Sequence, residues 1–223
     1  MSVSMLRPAR AWSLAAGALV LAAAWLGPLP GLSRNSFTAH MAMHMSVVAL
    51  ACPLLALGIA RGPLDPLRSH DGGWRGVLLS PYVASALEFV VVWAWHAPGL
   101  HHLARHAGTW RAVEQGSFLA VGMLVWLSAF CGGHAARQRA AAGVGGLLMT
   151  SMHMTLLGVL LALAARPLYG HGAAQAAFGL SALQDQHMGG VVMLAVGGVS
   201  YLAGALALLA TLLSDRRQGV ADG

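Results

Sequence analysis

Long apolar runs separated by short polar breaks dominate this chain. Six of them approach the ~20 residues that a helix needs to cross a bilayer. They cover residues 11–29, 36–60, 77–97, 113–133, 144–164 and 188–213. The pattern predicts an all-α fold, a polytopic transmembrane bundle of about six spanning helices. No break is long enough to hold a soluble domain, so residues 1–223 are expected to form a single integral membrane domain. Glycine-rich patches such as "GVGG" suit close helix packing better than a phosphate loop. The first run has a leader-like outline, with Arg7 and Arg10 before it and Pro28 and Pro30 after it. No A-x-A site follows, and the run is expected to be retained as the first span.

Composition agrees with this pattern. Hydrophobic residues make up 57% of the chain and charged residues 9%, where a soluble domain carries ~25% charge. All 13 basic residues are arginine, and they lie in the breaks. Nine arginines (7, 10, 61, 68, 75, 137, 139, 216 and 217) fall on one side of the predicted bundle. Four (34, 105, 111 and 166) fall on the other. The positive-inside rule then puts both termini in the cytoplasm of a bacterial inner membrane and the opposite loops in the periplasm. The net charge of +6 is read as a topology signal, with no argument for nucleic acid. The seven acidic residues are too few for a carboxylate-rich site. Cys52 and Cys131 stand alone in apolar stretches and are expected to pack as small hydrophobes. No Ser-His-Asp set, HExxH motif or nucleotide loop is present, so the chain is not expected to be an enzyme. Trp93, Trp95, Trp110 and Tyr169 read as an aromatic belt at the outer boundary.

The histidines carry the candidate chemistry. "HMAMHM" places His40 and His44 at i and i+4 on one face of the second span, with Met43 joining that face. His96 ends the third span on the same side. His101, His102 and His106 follow it, His171 lies in the next outer loop, and His187 begins the sixth span. His153 lies near the middle of the fifth span, and only His70 and His134 fall on the cytoplasmic side. Polar groups within a membrane are costly, and a set from several helices at one depth reads as a metal or cofactor site. Imidazole suits Zn, Cu, Fe and Ni, whereas thioether suits Cu(I). Met41, Met43 and Met45 around His44, Met152 and Met154 around His153, and Met188 beside His187 tilt the choice toward copper.

Three further polar residues need partners. Glu88 lies mid-membrane on the third span, ~12 Å below His96 at 1.5 Å per residue. Its expected partner is a polar group of the fifth span, His153 being the first choice; a metal role and proton handling stay open. Asp185 and Gln186 lie just before the sixth span. Asp185 is expected to cap that helix, and either residue could orient a ligand histidine by hydrogen bonding.

The strings "HMAMHMSVVALACPLLALG", "WAWHAPGLHH", "EQGSFLAVGMLVW", "RPLYG" and "LQDQHMGGVVM" occur in this order. Together they resemble the CtaG-like, caa-type cytochrome c oxidase assembly factors, a polytopic membrane family. The likeness covers about residues 38–193. The family's His-x-x-x-His element falls on His40 and His44, its Trp-His-x-Pro element on Trp95, His96 and Pro98, and its Asp-Gln element on Asp185 and Gln186. The resemblance implies copper handling for the CuB centre of a haem-copper oxidase. It also implies an oxidase subunit and a periplasmic copper donor as partners.

The leading expectation is therefore an assembly factor that holds Cu(I) near the periplasmic face. His40, His44 and His96 would be ligands, with Met43, His102, His187 and His153 as further candidates. Two alternatives stay open. One is a haem b electron-transfer protein with axial histidines such as His44 and His153. The other is a copper or ion transporter with Glu88 and His153 on its path.

Overall fold

A computed structural model describes residues 3–60, 62–67, 74–131, 136–169 and 179–221. The chain is 85% helical and has no strand among the described residues. In chain order the helices are α1 (Val3–Leu26), α2 (Leu29–Leu32), α3 (Phe37–Met45), α4 (Cys52–Ile59) and α5 (Trp74–Leu78). There follow α6 (Pro81–His96), α7 (Pro98–His106), α8 (Gly108–Phe130), α9 (Ala136–Ala162), α10 (Ala182–Val192) and α11 (Gly198–Ala221). A π-helical segment, Ser46–Ala51, joins α3 to α4, and a second, Met193–Gly197, joins α10 to α11. Five helical stretches are long and apolar enough to cross a membrane, or six if α6 and α7 are taken as one bent span.

The departures from the expected boundaries have local causes. The third span begins at Pro81 instead of 77, because Ser80 is extended ahead of a proline and a pre-proline residue disfavours the α region. The same effect at Ala97, φ −65° and ψ 133° before Pro98, ends α6. The chain then turns by 73° into α7. With 16 residues, α6 is about 24 Å long, short of the ~30 Å hydrocarbon core. The sixth span starts at Ala182, where Ser181 and Gln184 form a reciprocal capping box. The fourth starts at Gly108. These earlier starts draw Asp185, Gln186 and His187 into a spanning helix and place Glu114 and Gln115 more than a turn inside another.

The first π segment follows from Pro53, which has no N–H to offer the Ala49 carbonyl. The Cys52 N–H reaches back to Val47 O instead of Val48 O. Two carbonyls are thereby released, and other helices satisfy them. Ser200 Oγ donates to Ala49 O at 2.6 Å, and Trp126 Nε1 donates to Val48 O at 2.9 Å. Buried backbone groups in an apolar bundle need such partners. The bulge therefore fastens the second span to α8 and α11.

Packing is closest where side chains are smallest. A Cβ on Gly190 would lie 2.6 Å from Ala162 N, and one on Gly158 would lie 3.0 Å from Leu194 N. This is the small-residue contact expected between spanning helices. It brings α10 against α9. The core contains Phe37, Met41, Met45, Trp126, Met154 and Tyr201. Leu19, Leu160, Leu163, Val199 and Leu206 stay exposed on the outside, where lipid would cover them.

Candidate metal centre

His40 and His44 lie one turn apart on α3, the first helical stretch of the second span. Ser36 caps α3, its hydroxyl accepting from Ala39 N. A carboxylate from another helix completes the cap. Asp185 of α10 accepts from Ser36 Oγ at 2.8 Å, Phe37 N at 2.5 Å and Thr38 N at 3.1 Å. Asp185 was expected to cap its own helix, but Ser181 does that. Asp185 instead fixes the start of the histidine helix, where an anion also meets the favourable end of the helix dipole. Gln186 bonds no histidine. It accepts from Leu168 N at 2.7 Å and donates to Leu161 O at 3.3 Å, which ties down the chain after α9.

Around α3 the other helices bring three more donors. The bend after α6 folds α7 back so that His101 is buried 4.8 Å, centroid to centroid, from the His40 ring. From α8 comes Glu114, fully buried, with Oε1 3.3 Å from His40 Nε2 and 3.6 Å from His44 Nε2. His40 and His44 bring their Nε2 atoms within 2.7 Å of each other. One donor atom from each of His40, His101 and Glu114 lies within 4.8 Å of the other two, a spacing that could hold a metal ion. His101 Nε2 is buried without a hydrogen-bond partner, and Glu114 Oε1 has only the two imidazoles of α3 beside it. Buried polar atoms left unpaired are costly, and a cation between them would pair them.

His96, at the end of α6, is prepared in the same sense. Its Nδ1 is 2.6 Å from Val92 O, and only a protonated Nδ1 can make that bond. The Nε2 lone pair is therefore free, and it faces Met41 Sδ at 3.5 Å. Met41, which the helical spacing did not single out, places a sulfur beside an imidazole; Met43 is buried on the same helix. Tyr169 donates to His96 O at 2.8 Å and stacks on Phe37 at 4.6 Å, walling the site beside His101. Burial raises the pKa of the Tyr169 hydroxyl and keeps it a donor.

His44 differs from the other ring donors. Trp25 of α1 donates its indole N–H to Gln115 Oε1 at 3.1 Å. Indole can only donate, so the opposite end of that amide, Nε2, must donate to His44 Nδ1, 3.0 Å away. Neutral His44 then carries its proton on Nε2, directed at His40 and Glu114. The geometry makes His44 an orienting donor, with His40, His101 and Glu114 as the convergent set and His96 beside them.

The remaining candidates lie apart. His102 is exposed on the outer face of α7. His187 is half-buried, with Nε2 2.9 Å from Ala164 O. His153 is buried edge-on to Phe89 at 5.5 Å, and neither ring nitrogen has a partner. Glu88 does not pair with His153. Its Oε1 accepts from Tyr201 OH of α11 at 2.6 Å, and its polar neighbour on α9 is Thr150. His70, His134 and His171 lie outside the described residues.

Sequence reasoning missed Glu114 and Gln115. Starting the fourth span at 113 put both at an interface, and counting acidic residues discouraged a carboxylate ligand. The available signal was a Glu-Gln pair beside an apolar run, among strings already picked out for their order.

A family model described as cytochrome c oxidase caa3 assembly factor matches residues 3–215, nearly the whole chain. No curated protein and no solved structure gives a significant match.

Proposed function

Because the chain belongs to the cytochrome c oxidase caa3 assembly factor family, we propose that it serves oxidase assembly by holding a copper ion and passing it on. The acceptor is a haem-copper oxidase subunit, at the CuB centre, and a periplasmic donor supplies the ion. The observation that carries this reading is the convergence of His40, His101 and Glu114, with His101 Nε2 buried and unpartnered. Imidazole accepts copper readily, and the Met41 thioether beside His96 favours Cu(I). Glu114 offsets the charge of the cargo inside a low-dielectric bundle. His44, held by Gln115 and Trp25, keeps a proton pointed at Glu114 and His40 and orients them. Three helices and a bent fourth supply these groups, so a small shift of α7 would open the ligand set for transfer. The nine-to-four arginine distribution supports a periplasmic location for this end of the bundle.

Haem is a poor fit to the same atoms. The Nε2 of His44 faces His40 at 2.7 Å instead of an open slot for a porphyrin.

The test is metal analysis of detergent-purified protein loaded with Cu(I) and then dialysed. Wild type should retain copper, and His40→Ala with His101→Ala should lose it. Equal copper in both proteins would remove these residues as ligands. A C-terminal reporter active only in the periplasm would reverse the topology.

A further inference from the structure

Helix α7 has two chemically distinct faces. One carries His101 into the buried site and the other carries His102 and His106 outward. These two are i and i+4 on one helix, and side chains at that spacing lie one above the other. Their ring centroids are 4.2 Å apart with the planes inclined at 44°. Both residues are exposed, and neither ring makes a hydrogen bond to a described residue. The intervening cation does not occupy the same space, since the Arg105 guanidinium is turned to the Arg34 carbonyl. Two exposed imidazoles stacked along a helix are spaced to offer one nitrogen each to a single ion. Water completes the coordination sphere, and the ion can exchange.

We propose that His102 and His106 form a second, solvent-facing metal site for a borderline first-row divalent ion, binding Cu2+ most tightly. The preference for Cu2+ follows from the affinity order at nitrogen donors. The chelate advantage follows from effective concentration, since the second imidazole is already in place once the first has bound. This site requires no change in the oxidation state of the metal. The site lies on the outer wall of the buried centre, and its binding of Cu2+ does not rest on the copper-handling reading.

The experiment uses the full-length protein in detergent, purified without a polyhistidine tag. Cu2+ is titrated by equilibrium dialysis, and bound nitrogens are counted from the superhyperfine structure of the electron paramagnetic resonance spectrum. The wild type should show an exchangeable equivalent with a two-nitrogen signature. His102→Ala with His106→Ala should abolish that equivalent. His106→Ala with Ala107→His keeps the histidine count but breaks the spacing, and should weaken the site by about 10²-fold. His102 and His106 are exposed and Ala107 is half-buried at the end of α7, so the folding of both variants is checked by gel filtration. Unchanged Cu2+ binding in the first variant, or undiminished affinity in the second, would overturn the proposal. A wild type whose only copper is lost in the first variant would uphold this site and defeat the buried centre. Copper that disappears only with His40→Ala and His101→Ala would do the reverse.

Discussion

Two buried polar regions lie in the same bundle, and they differ in how many ligating atoms converge on one place. At the outer end, His40, His44, His101 and Glu114 crowd together, with one atom each of His40, His101 and Glu114 within 4.8 Å of the other two. Deeper in the bundle, Glu88 Oε1 takes the Tyr201 hydroxyl at 2.6 Å while its Oε2 has no hydrogen-bond partner, and Thr150 donates to Ser85 at 2.8 Å nearby. The deep region is made of hydroxyls around one carboxyl and can be neutral when that carboxyl keeps a proton. The outer region has a surplus of nitrogen and oxygen lone pairs converging on one place. A surplus of that kind suits a cation, whereas a hydroxyl-lined carboxyl suits a structural or proton-holding role. Both regions are anchored by contacts from other helices. The deep one lies against the first π segment, where Tyr201 OH also approaches Val48 O at 3.5 Å. The outer one is anchored by Asp185 across the start of α3.

The sharpest way to break this comparison is to exchange the roles of the two carboxylates. Glu114→Ala should abolish copper retention after dialysis, while Glu88→Gln should leave copper content at the wild-type level. Loss in both variants, or in neither, would erase the distinction.

A smaller effect is expected one bond further out. Gln115→Leu removes the amide that orients His44 and should lower copper affinity by about 10–100-fold, the usual size for partners of metal-site groups. Competition with a chelator of known affinity measures it. An effect as large as that of Glu114→Ala would mean that Gln115 or His44 belongs to the ligand set itself.

The deep region should respond in stability instead. Tyr201→Phe strands the buried Glu88 Oε1 and should destabilise the protein by about 1–3 kcal/mol, read as a lowered Tm in detergent, with copper content unchanged. Ser200→Ala removes the donor that serves the carbonyl released by Pro53. It should cost about 1 kcal/mol, with no loss of copper. A copper deficit in either variant, at a temperature where the protein is folded, would couple the two regions and blur the contrast.

The spans themselves were legible in the sequence. Apolar run length is a one-dimensional property, and the bilayer forces each run to satisfy its own backbone as a helix. The spacing of His40 and His44 and the outward bias of the histidines were legible for the same reason, because helical period and loop order are local. The helix boundaries that mattered were not. Pro98 marks a break, but the 73° turn that returns His101 to His40 depends on what α7 packs against. Glu114 lies at the edge of its apolar run, and only the start of α8 at Gly108 puts it more than a turn inside a helix. Asp185 lies 149 residues from Ser36 along the chain, and no local rule connects them. Met41 meets the His96 imidazole across 55 residues of chain, a contact that helical spacing within α3 could not reveal. Sequence alone determined that a polar cluster would be buried near one end of a helical bundle. Only the packing of five separate helices decided which lone pairs converge, since that depends on distances between residues whose positions along the chain carry no information about one another.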